Sequence, residues 1–203
     1  MLTIWGRLNS HNVKKVTWLA DELGLPHVRH DVGGKFGMDA SYRALNPNAL
    51  IPTIEDGDFT LWESNAILRY LAGRYGGERW WPSDAAVRAS GDKWMDWQFS
   101  LADAQRDAFL NLVRKAPAER DPAAIARSSA ASVKAMRLVD DCLSRQPWLS
   151  GDEIGIGDIP VGVYAHTFFT LEIERPELSH LRAWYEKLTA REAYAKSVMI
   201  PLT

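Results

Sequence analysis

The chain has 203 residues, of which 46% are hydrophobic and 25% charged, and its formal net charge is −2. This composition is ordinary for a folded protein with one large or two small domains, and it excludes global disorder. A net charge near zero gives no electrostatic reason to expect nucleic acid or an anionic membrane as a partner. Cys142 is the single cysteine, so no disulfide can form within the chain, as in a reducing compartment. The sequence has neither a basic start nor a long apolar run, so we expect no signal peptide, no membrane span and a cytoplasmic location.

The first 76 residues predict alternating strands and helices of a thioredoxin-like βαβ-ββα domain. Apolar residues recur with the period of a helix in some segments and with the alternation of a strand in others. Gly6 ends the first predicted strand, and Gly24 ends the first predicted helix. A right-handed βαβ unit comes first, and a hairpin and a helix follow it. The expected elements are a strand over 2–5, a helix over 13–23, a strand over 25–32 with Val28, His30 and Val32 on one face, one or two helical turns over 39–45, strands on either side of an Asp56-Gly57 turn, and a helix over 63–75.

The rest of the chain predicts an all-α helical-bundle domain over 85–203, joined to the first domain by a linker over 77–84. The fold class is therefore α+β. We expect a long helix ending near Arg114, a second helix capped by Asp121-Pro122, and a final amphipathic helix over 178–188. The second helix should bury one face, formed by Ile125, Ser129, Val133, Met136, Val139 and Leu143.

The segment from Asn46 to Ile67 carries the clearest functional pattern. Ile51-Pro52 lies where a loop enters a strand, so we expect a cis peptide bond there and an exposed backbone N–H and C=O at Ile51. The helix that begins at Glu63-Ser64 offers free N–H groups that suit an anion. A bare backbone edge beside a helix N-terminus suits a small, extended, peptide-like anion.

This "NP…IP" loop, the hairpin and the "ES.AI" helix start resemble the glutathione site of the cytosolic glutathione S-transferases, in particular bacterial, serine-type members of the theta and beta kind. The resemblance extends from the first strand to the last helix. It implies that Ile51, before a cis Pro52, pairs its backbone with the cysteinyl part of glutathione. Glu63 and Ser64 would then hold the γ-glutamyl group.

One position departs from that family pattern. Ala49 stands where several classes have a histidine that touches the glycine end of glutathione. Lys35 could take over this role from its loop, or it could be an ordinary solvated lysine.

The turn between the first strand and the first helix is the reactive position of thioredoxin-like domains. This chain has no cysteine there, but the Ser10 hydroxyl and the Asn12 amide are donors that would lower the pKa of an external thiol. The spacing from Ser10 to Val13-Lys14-Lys15-Val16 resembles the serine-type classes, in which the catalytic serine stands three residues before Cys-Arg-x-Val. The resemblance implies that Ser10 activates glutathione as a co-substrate, and the amide of Asn12 is the candidate for a second donor. The alternative is an ordinary cap and turn.

The stretch from Ile154 to Pro160 resembles the capping box and hydrophobic staple of the transferases' helical domain. Gly155 would be the N-cap and Asp158 the third helical residue, with an Ile154–Ile159 staple. Because Gly155 replaces the usual hydroxyl residue, we expect a loss of a few tenths of a kcal/mol.

A second-substrate pocket would be lined by the helical domain, although most of its candidate residues could equally belong to the core. The five histidines show no metal-ligand spacing, so we expect no metal. The nine tryptophans could serve the core, a pocket or a subunit interface. The pocket candidates are Leu8, Trp94, Gln98, Phe99, Arg106, Tyr164, Phe168 and Phe169.

The leading interpretation is a transferase that conjugates the glutathione thiolate to small electrophilic, mostly apolar compounds. Two alternatives remain: reductive use of glutathione, as in dehalogenating, isomerising or disulfide-reducing relatives, and a non-catalytic transferase-like binding module. We expect a homodimer, because Phe59, Trp62, Trp94 and Trp97 supply more apolar surface than one small domain needs.

Overall fold

The computed structural model describes all 203 residues. Four strands and nine α-helices follow the predicted order. The strands are β1 Leu2–Trp5, β2 His27–His30, β3 Thr53–Asp56 and β4 Phe59–Trp62. The helices are α1 His11–Glu22, α2 Ala40–Leu45, α3 Ser64–Tyr75, α4 Gly77–Trp80, α5 Ala85–Phe109, α6 Pro122–Leu143, α7 Asp158–Thr170, α8 Ser179–Thr189 and α9 Glu192–Ser197. Short 3₁₀ segments occupy Gly34–Phe36 and Pro117–Glu119, and a π-helical turn, Leu110–Arg114, continues α5.

The four strands form one mixed sheet in the order β2-β1-β3-β4. β1 pairs with β2 in parallel and with β3 antiparallel, and β3 pairs with β4 antiparallel. Ile4 lies opposite Ile54 at the centre of the sheet, and both side chains are fully buried. The parallel pair joined by α1, followed by the hairpin and α3, gives the predicted thioredoxin-like layout. An all-helical part follows it, so the predicted fold class is confirmed.

Helix α1 connects the two halves of the molecule. Every residue from Val13 to Ala20 is buried, since α1 packs on α3 on one side and on α7 and α9 on the other. Trp18 meets Tyr194 of α9 edge to face, with ring centroids 4.8 Å apart. Gly162 of α7 allows this approach, because a Cβ at that position would lie 2.9 Å from the Trp18 ring. One apolar core of 33 buried residues therefore spans the sheet and the helices.

Several element boundaries differ from those that the sequence predicts. The hairpin turn is Gly57-Asp58, one residue later than predicted, because Asp56 pairs with Phe59. The strand β2 is shorter than expected, and its Val28–His30 face is exposed. The predicted linker includes the helical turn α4, in which Trp80 is buried. The helix α8 is not the final one, because α9 follows it and packs on α1.

The first half of α6 turns a different face inward from the one predicted. Ser128 and Ser132 are buried there, whereas the prediction placed Ile125, Ser129 and Val133 on the buried face. The hydroxyls of Ser128 and Ser132 both donate to the Ala104 carbonyl of α5, at 2.6 and 3.2 Å. Small side chains with an internal acceptor let the two helices pack closely, and hydropathy alone does not reveal such a face.

Asp158 is the first residue of α7 and Gly157 is its N-cap, so the helix begins two residues later than the prediction, which made Gly155 the N-cap and Asp158 the third helical residue. The Asp158 carboxylate is fully buried and accepts hydrogen bonds from the N–H groups of Leu149, Ser150 and Gly155 and from Nε1 of Trp184, at 2.8 to 3.2 Å. Burial raises the pKa of the Asp158 carboxyl, and these hydrogen bonds oppose that effect. The bond from Gly155 N–H to Asp158 is the predicted one.

The hydroxyl that Gly155 lacks is supplied from another part of the chain. Ser150 Oγ accepts from the N–H of Gly157 at 3.1 Å. A Cβ at Gly155 would lie 2.8 Å from Ser150, so a glycine there makes room for this substitute. We therefore expect this hydrogen bond to offset the predicted loss of stability.

Four of the nine tryptophans, Trp18, Trp80, Trp94 and Trp184, are at most 5% exposed. Three more, Trp81, Trp97 and Trp148, are partly buried against the same core. No helix is both long enough and apolar enough to span a membrane.

We predict that Asp158→Ala lowers the free energy of unfolding by at least about 3 kcal/mol, since it leaves four donors without an acceptor. Asp96→Ala is the matched control, because Asp96 is 73% exposed and pairs only with Arg69 at the surface. It should change stability by less than about 1 kcal/mol. Urea unfolding of both variants measures the difference, and equal losses would contradict the role given to Asp158.

Candidate functional site

The turn between β1 and α1 brings Ser10 to the start of a buried helix. Gly6 ends β1 with a φ of 148°, and a Cβ there would lie 2.5 Å from Val13 and 3.2 Å from Ile51. The turn and the Ile51 loop therefore lie against each other. Ser10 is the N-cap of α1, and its carbonyl accepts from Lys14 N–H at 2.9 Å. Its hydroxyl makes no capping bond and remains available to a ligand.

Asn12 lies in the first turn of the same helix and is exposed. Its amide is not used within the chain, unlike that of Asn65, which donates to the Met95 carbonyl. Two free polar side chains thus flank the N-terminus of α1, where the helix dipole favours negative charge.

The Ile51-Pro52 peptide bond is cis, as predicted. The loop before it is held by Asn46, whose amide donates to the Leu50 carbonyl at 2.9 Å and to Thr53 Oγ1 at 3.2 Å. Tyr42 Oη also donates to the Leu50 carbonyl. The N–H and C=O of Ile51 bond to no other residue of the chain. This leaves one extended backbone edge free for a peptide-like ligand.

The junction of β4 and α3 forms the second half of the site. Glu63 precedes the helix with a φ of 71°, a left-handed conformation that costs a side-chain-bearing residue on the order of 1–3 kcal/mol. Ser64 is 5% exposed and begins α3, so the first N–H groups of the helix have no acceptor within it. The arrangement suits a bound carboxylate at the helix and a cation at the exposed Glu63.

Lys15 is a site residue that the sequence did not indicate. Its side chain is fully buried, and Nζ donates to Gln98 Oε1 at 2.5 Å and to Ser64 Oγ and Asn65 Oδ1 at 3.4 Å. Burial lowers its pKa to about 7, although the charge of Glu63 opposes this. In the sequence, Lys15 looks like any solvated helix lysine, and only its place among the apolar positions of α1 distinguishes it.

His11 is a second residue that the sequence did not single out. Its ring stacks on Tyr164 with centroids 4.8 Å apart, and its Nε2 lies 2.7 Å from Thr167 Oγ1. Burial, followed by nearby positive charges such as Lys14, lowers the pKa of His11 to about 3, so the imidazole is neutral at pH 7. His11 borders a cavity of about 290 Å³ beside the N-terminus of α1.

The predicted pocket residues separate into four groups. Arg106 and Tyr164 line the 290 Å³ cavity with His11 and Phe109. A second cavity, of about 510 Å³, is lined by the pocket candidate Leu8 and by Lys35, the candidate for the glycine end of glutathione. Trp94, Gln98 and Phe168 are at most 5% exposed and line neither cavity. Phe99 is 53% exposed, and Phe169 stacks on Tyr185.

The buried predicted residues have internal partners instead. Trp94 packs against Trp97, Gln98 holds Lys15, and Phe168 meets Phe169 edge to face. No three His, Cys, Asp or Glu side chains come together in a way that could hold a metal ion.

Because the pKa of Lys15 is lowered in the folded protein, the free energy of unfolding should depend on pH. The ordinary pKa of a lysine is 10.5, so burial of Lys15 costs on the order of 4 kcal/mol at pH 7. Between pH 7 and 10.5 the unfolded chain binds more protons than the folded one, so this cost falls as the pH rises through that window. We expect Lys15→Met to stabilise the protein at pH 7 and to reduce the gain in stability between pH 7 and 10. Urea unfolding at both pH values tests this, and a variant less stable than the parent at pH 7 would show that the hydrogen bonds of Lys15 outweigh its desolvation.

Known proteins resemble this chain in both sequence and fold. Residues 9–74 match the family described as "Glutathione S-transferase, N-terminal domain". The glutathione S-transferase GstB of Escherichia coli strain K12 is 44% identical, and the match covers 100% of both chains. The theta class glutathione S-transferase of Xanthomonas axonopodis pv. citri, solved with glutathione bound, is 48% identical with a TM-score of 0.95, over 100% of this chain and 99% of that one. The glutathione transferase URE2P6 of Phanerochaete chrysosporium, solved with oxidized glutathione, is 25% identical with a TM-score of 0.86, over 97% and 94% of the two chains. From its fold, its site and these similarities, this chain belongs to the glutathione S-transferase family.

Proposed function

We propose that this protein is a glutathione S-transferase that binds glutathione as its co-substrate and conjugates the thiolate to small electrophiles. The observation that carries the proposal is the meeting of three unused groups. These are the free hydroxyl of Ser10, the unpaired backbone of Ile51 and the open N-terminus of α3 at Ser64. A relative that is 48% identical has been solved with glutathione bound, which supports the same ligand here.

Each part of glutathione has a complementary group in the proposed site. The γ-glutamyl carboxylate accepts hydrogen bonds from Ser64 and the N–H groups of α3, and the γ-glutamyl ammonium pairs with Glu63. The backbone of the cysteinyl residue pairs with Ile51. The glycine carboxylate lies toward Lys35, in the cavity that Arg7 and Arg114 also line.

The chemistry requires that the bound thiol lose its proton, which passes to solvent water. The Ser10 hydroxyl donates a hydrogen bond to the sulfur and stabilises the thiolate more than the thiol, with Asn12 as a second donor. The thiolate sulfur then attacks an electrophilic carbon and forms an S–C bond. The displaced electron pair leaves with the leaving group or is protonated by water.

The second substrate binds in the 290 Å³ cavity beside Ser10. Three aromatic rings line it, those of His11, Phe109 and Tyr164, together with the apolar Ala102 and Leu110. Its polar lining residues are Asp103, Gln105, Arg106 and Thr167. Because the His11 ring is neutral, a small, mostly apolar electrophile suits this cavity. Consumption of reactive electrophiles by a reduced thiol corresponds to a detoxifying role in the cytoplasm.

The proposal is tested by binding to immobilised glutathione, followed by conjugation assays with a panel of electrophiles, for the parent and for Ser10→Ala. We expect the parent to bind and to conjugate. Ser10→Ala should keep its glutathione affinity, since the backbone and helix contacts are unchanged, but conjugate about 10- to 100-fold more slowly. Its pH–rate profile should move to higher pH, because the lost hydrogen bond favours only the thiolate.

Asn12→Ala is the matched control within the same turn. If Asn12→Ala slows conjugation while Ser10→Ala does not, the amide is the principal donor. If neither variant moves the pH profile, the helix N-terminus alone activates the thiol. Binding without conjugation, but with reduction of disulfide or dehalogenation of halogenated substrates, would favour the reductive alternative.

We also propose a homodimer in which β4 contributes to the interface. Phe59 is 46% exposed and Trp62 is 36% exposed, and both lie on this edge strand. Trp94 and Trp97, which the sequence also suggested as interface residues, do not support the dimer, because Trp94 is buried and Trp97 packs against Trp94.

Light scattering at micromolar concentration should give twice the monomer mass, and Phe59→Asp should shift the protein toward monomer. Leu138→Asp is the control, since Leu138 is similarly exposed, at 49%, on α6. A parent protein that is monomeric at this concentration would contradict the dimer. Equal shifts in both variants would contradict the role of β4.

A further inference from the structure

We propose that Lys15 supplies the buried positive charge that faces the γ-glutamyl carboxylate of glutathione, and that Lys15 takes up a proton as glutathione binds. This inference rests on the proposed function, because it needs glutathione in the site formed by Ser64. It adds to that site a residue that makes no contact with solvent and that lies behind the helix N-terminus.

The ammonium group of Lys15 has no counterion within the protein. The three partners of Lys15 Nζ are neutral oxygens, those of Gln98, Ser64 and Asn65. No carboxylate lies within ion-pair distance of it, whereas Arg191 pairs with Glu22 at 2.5 Å. A fully buried ammonium group without a counterion is unfavourable, so it either loses its proton or awaits a negative charge.

The proposed position of the ligand carboxylate lies close enough to Lys15 to supply this counterion. Ser64 Oγ lies between Lys15 and the place proposed for the ligand, 3.4 Å from Nζ. A carboxylate oxygen that accepts from this hydroxyl lies about 2.7 Å beyond it, and hence no more than about 6 Å from Nζ. At that distance, in a site shielded from water, opposite charges interact strongly. The γ-glutamyl carboxylate is therefore the counterion that Lys15 lacks.

The groups around Lys15 are compatible with a protonated ammonium group when the ligand is bound. The titratable groups near Lys15 are Glu63 before α3, His11 on its own helix and Tyr164 of α7, whose ring centroid lies 5.7 Å from Nζ. Gln98 and Phe99 of α5 are uncharged, and the Phe99 ring lies 6.0 Å from Nζ. Glu63 is exposed and is assigned to the ligand ammonium, so it does not neutralise Lys15 in the complex.

The expected consequence is a link between binding and protonation. With a pKa of about 7, Lys15 is mostly neutral at pH 7.5 in the free protein. A carboxylate beside Ser64 raises that pKa, so binding at pH 7.5 should take up more than about half a proton per site. For the same reason, affinity should fall as the pH rises from 7 to 9.

The test is calorimetric titration of the full-length protein with S-methylglutathione, which has no thiol proton to release. The titration is run at pH 7.5 in phosphate and in Tris, because the change in observed enthalpy with the ionisation enthalpy of the buffer counts the protons exchanged. We expect net proton uptake by the parent. Lys15→Met should show no uptake, bind about tenfold or more weakly at pH 7, and lose the dependence of affinity on pH.

Lys14→Met is the control. Lys14 is buried beside Lys15, its pKa is also lowered by burial, to about 8, and its Nζ donates instead to the Val198 carbonyl at 2.9 Å. This variant should keep both the uptake and the affinity of the parent.

The outcomes separate this inference from the proposed function. Tight binding by the parent without proton uptake would overturn the inference and leave the proposed function intact. Uptake that persists in Lys15→Met would assign the proton to another group and would also overturn it. If the parent does not bind S-methylglutathione, the proposed function and the inference both fail. The measurement on the parent needs no substitution, so it does not depend on how well the variants fold.

Discussion

The burial of α1 along eight consecutive residues, Val13 to Ala20, is the constraint on which the site depends. A helix at the surface of a domain normally leaves one face to water. Here α3 covers one side, and α7 and α9 cover the other. The close approach needs Gly6 at one end and Gly162 beside the Trp18 ring, because a Cβ at either position would overlap its neighbour. The first turn of α1 is therefore fixed relative to both the sheet and the helical part, and so are the polar groups that it carries.

The locally unfavourable features of the chain gather around that turn. Glu63 has a left-handed backbone, Ile51 has no hydrogen-bond partner for its N–H or C=O, and Lys15 is buried without a counterion. Asp158, although it is also buried, has all of its hydrogen bonds and lies away from this region. Strained or unsatisfied groups persist only where the surrounding structure determines them, and their clustering is typical of a ligand site. The packing of α1 provides that rigid support.

The parts of this structure that local sequence could predict are those set by local chemistry. The order of strands and helices follows from hydrophobic period, and the Ile51-Pro52 corner and the Glu63-Ser64 helix start are signalled by their own residue types. Lys15 could not be found in this way, since its burial depends on Gln98, which is 83 positions further along the chain. Nor does the local pattern indicate Ser150, which stands five residues before Gly155 and whose hydroxyl accepts from the N–H of Gly157. The inward face of α6 depends on a single carbonyl of α5 and leaves no hydropathy signal.

The shared core also bears on what a domain means in this molecule. The sequence divides into a sheet-containing part and a helical part, yet Trp18 of the first and Trp184 of the second belong to one continuous apolar cluster. Removal of the helical part would leave the apolar side of α1 facing water, and the isolated sheet would lack much of the buried surface that a small domain needs. We expect the two parts to unfold together in a single cooperative transition, so that they are domains by chain topology but one unit in thermodynamic terms.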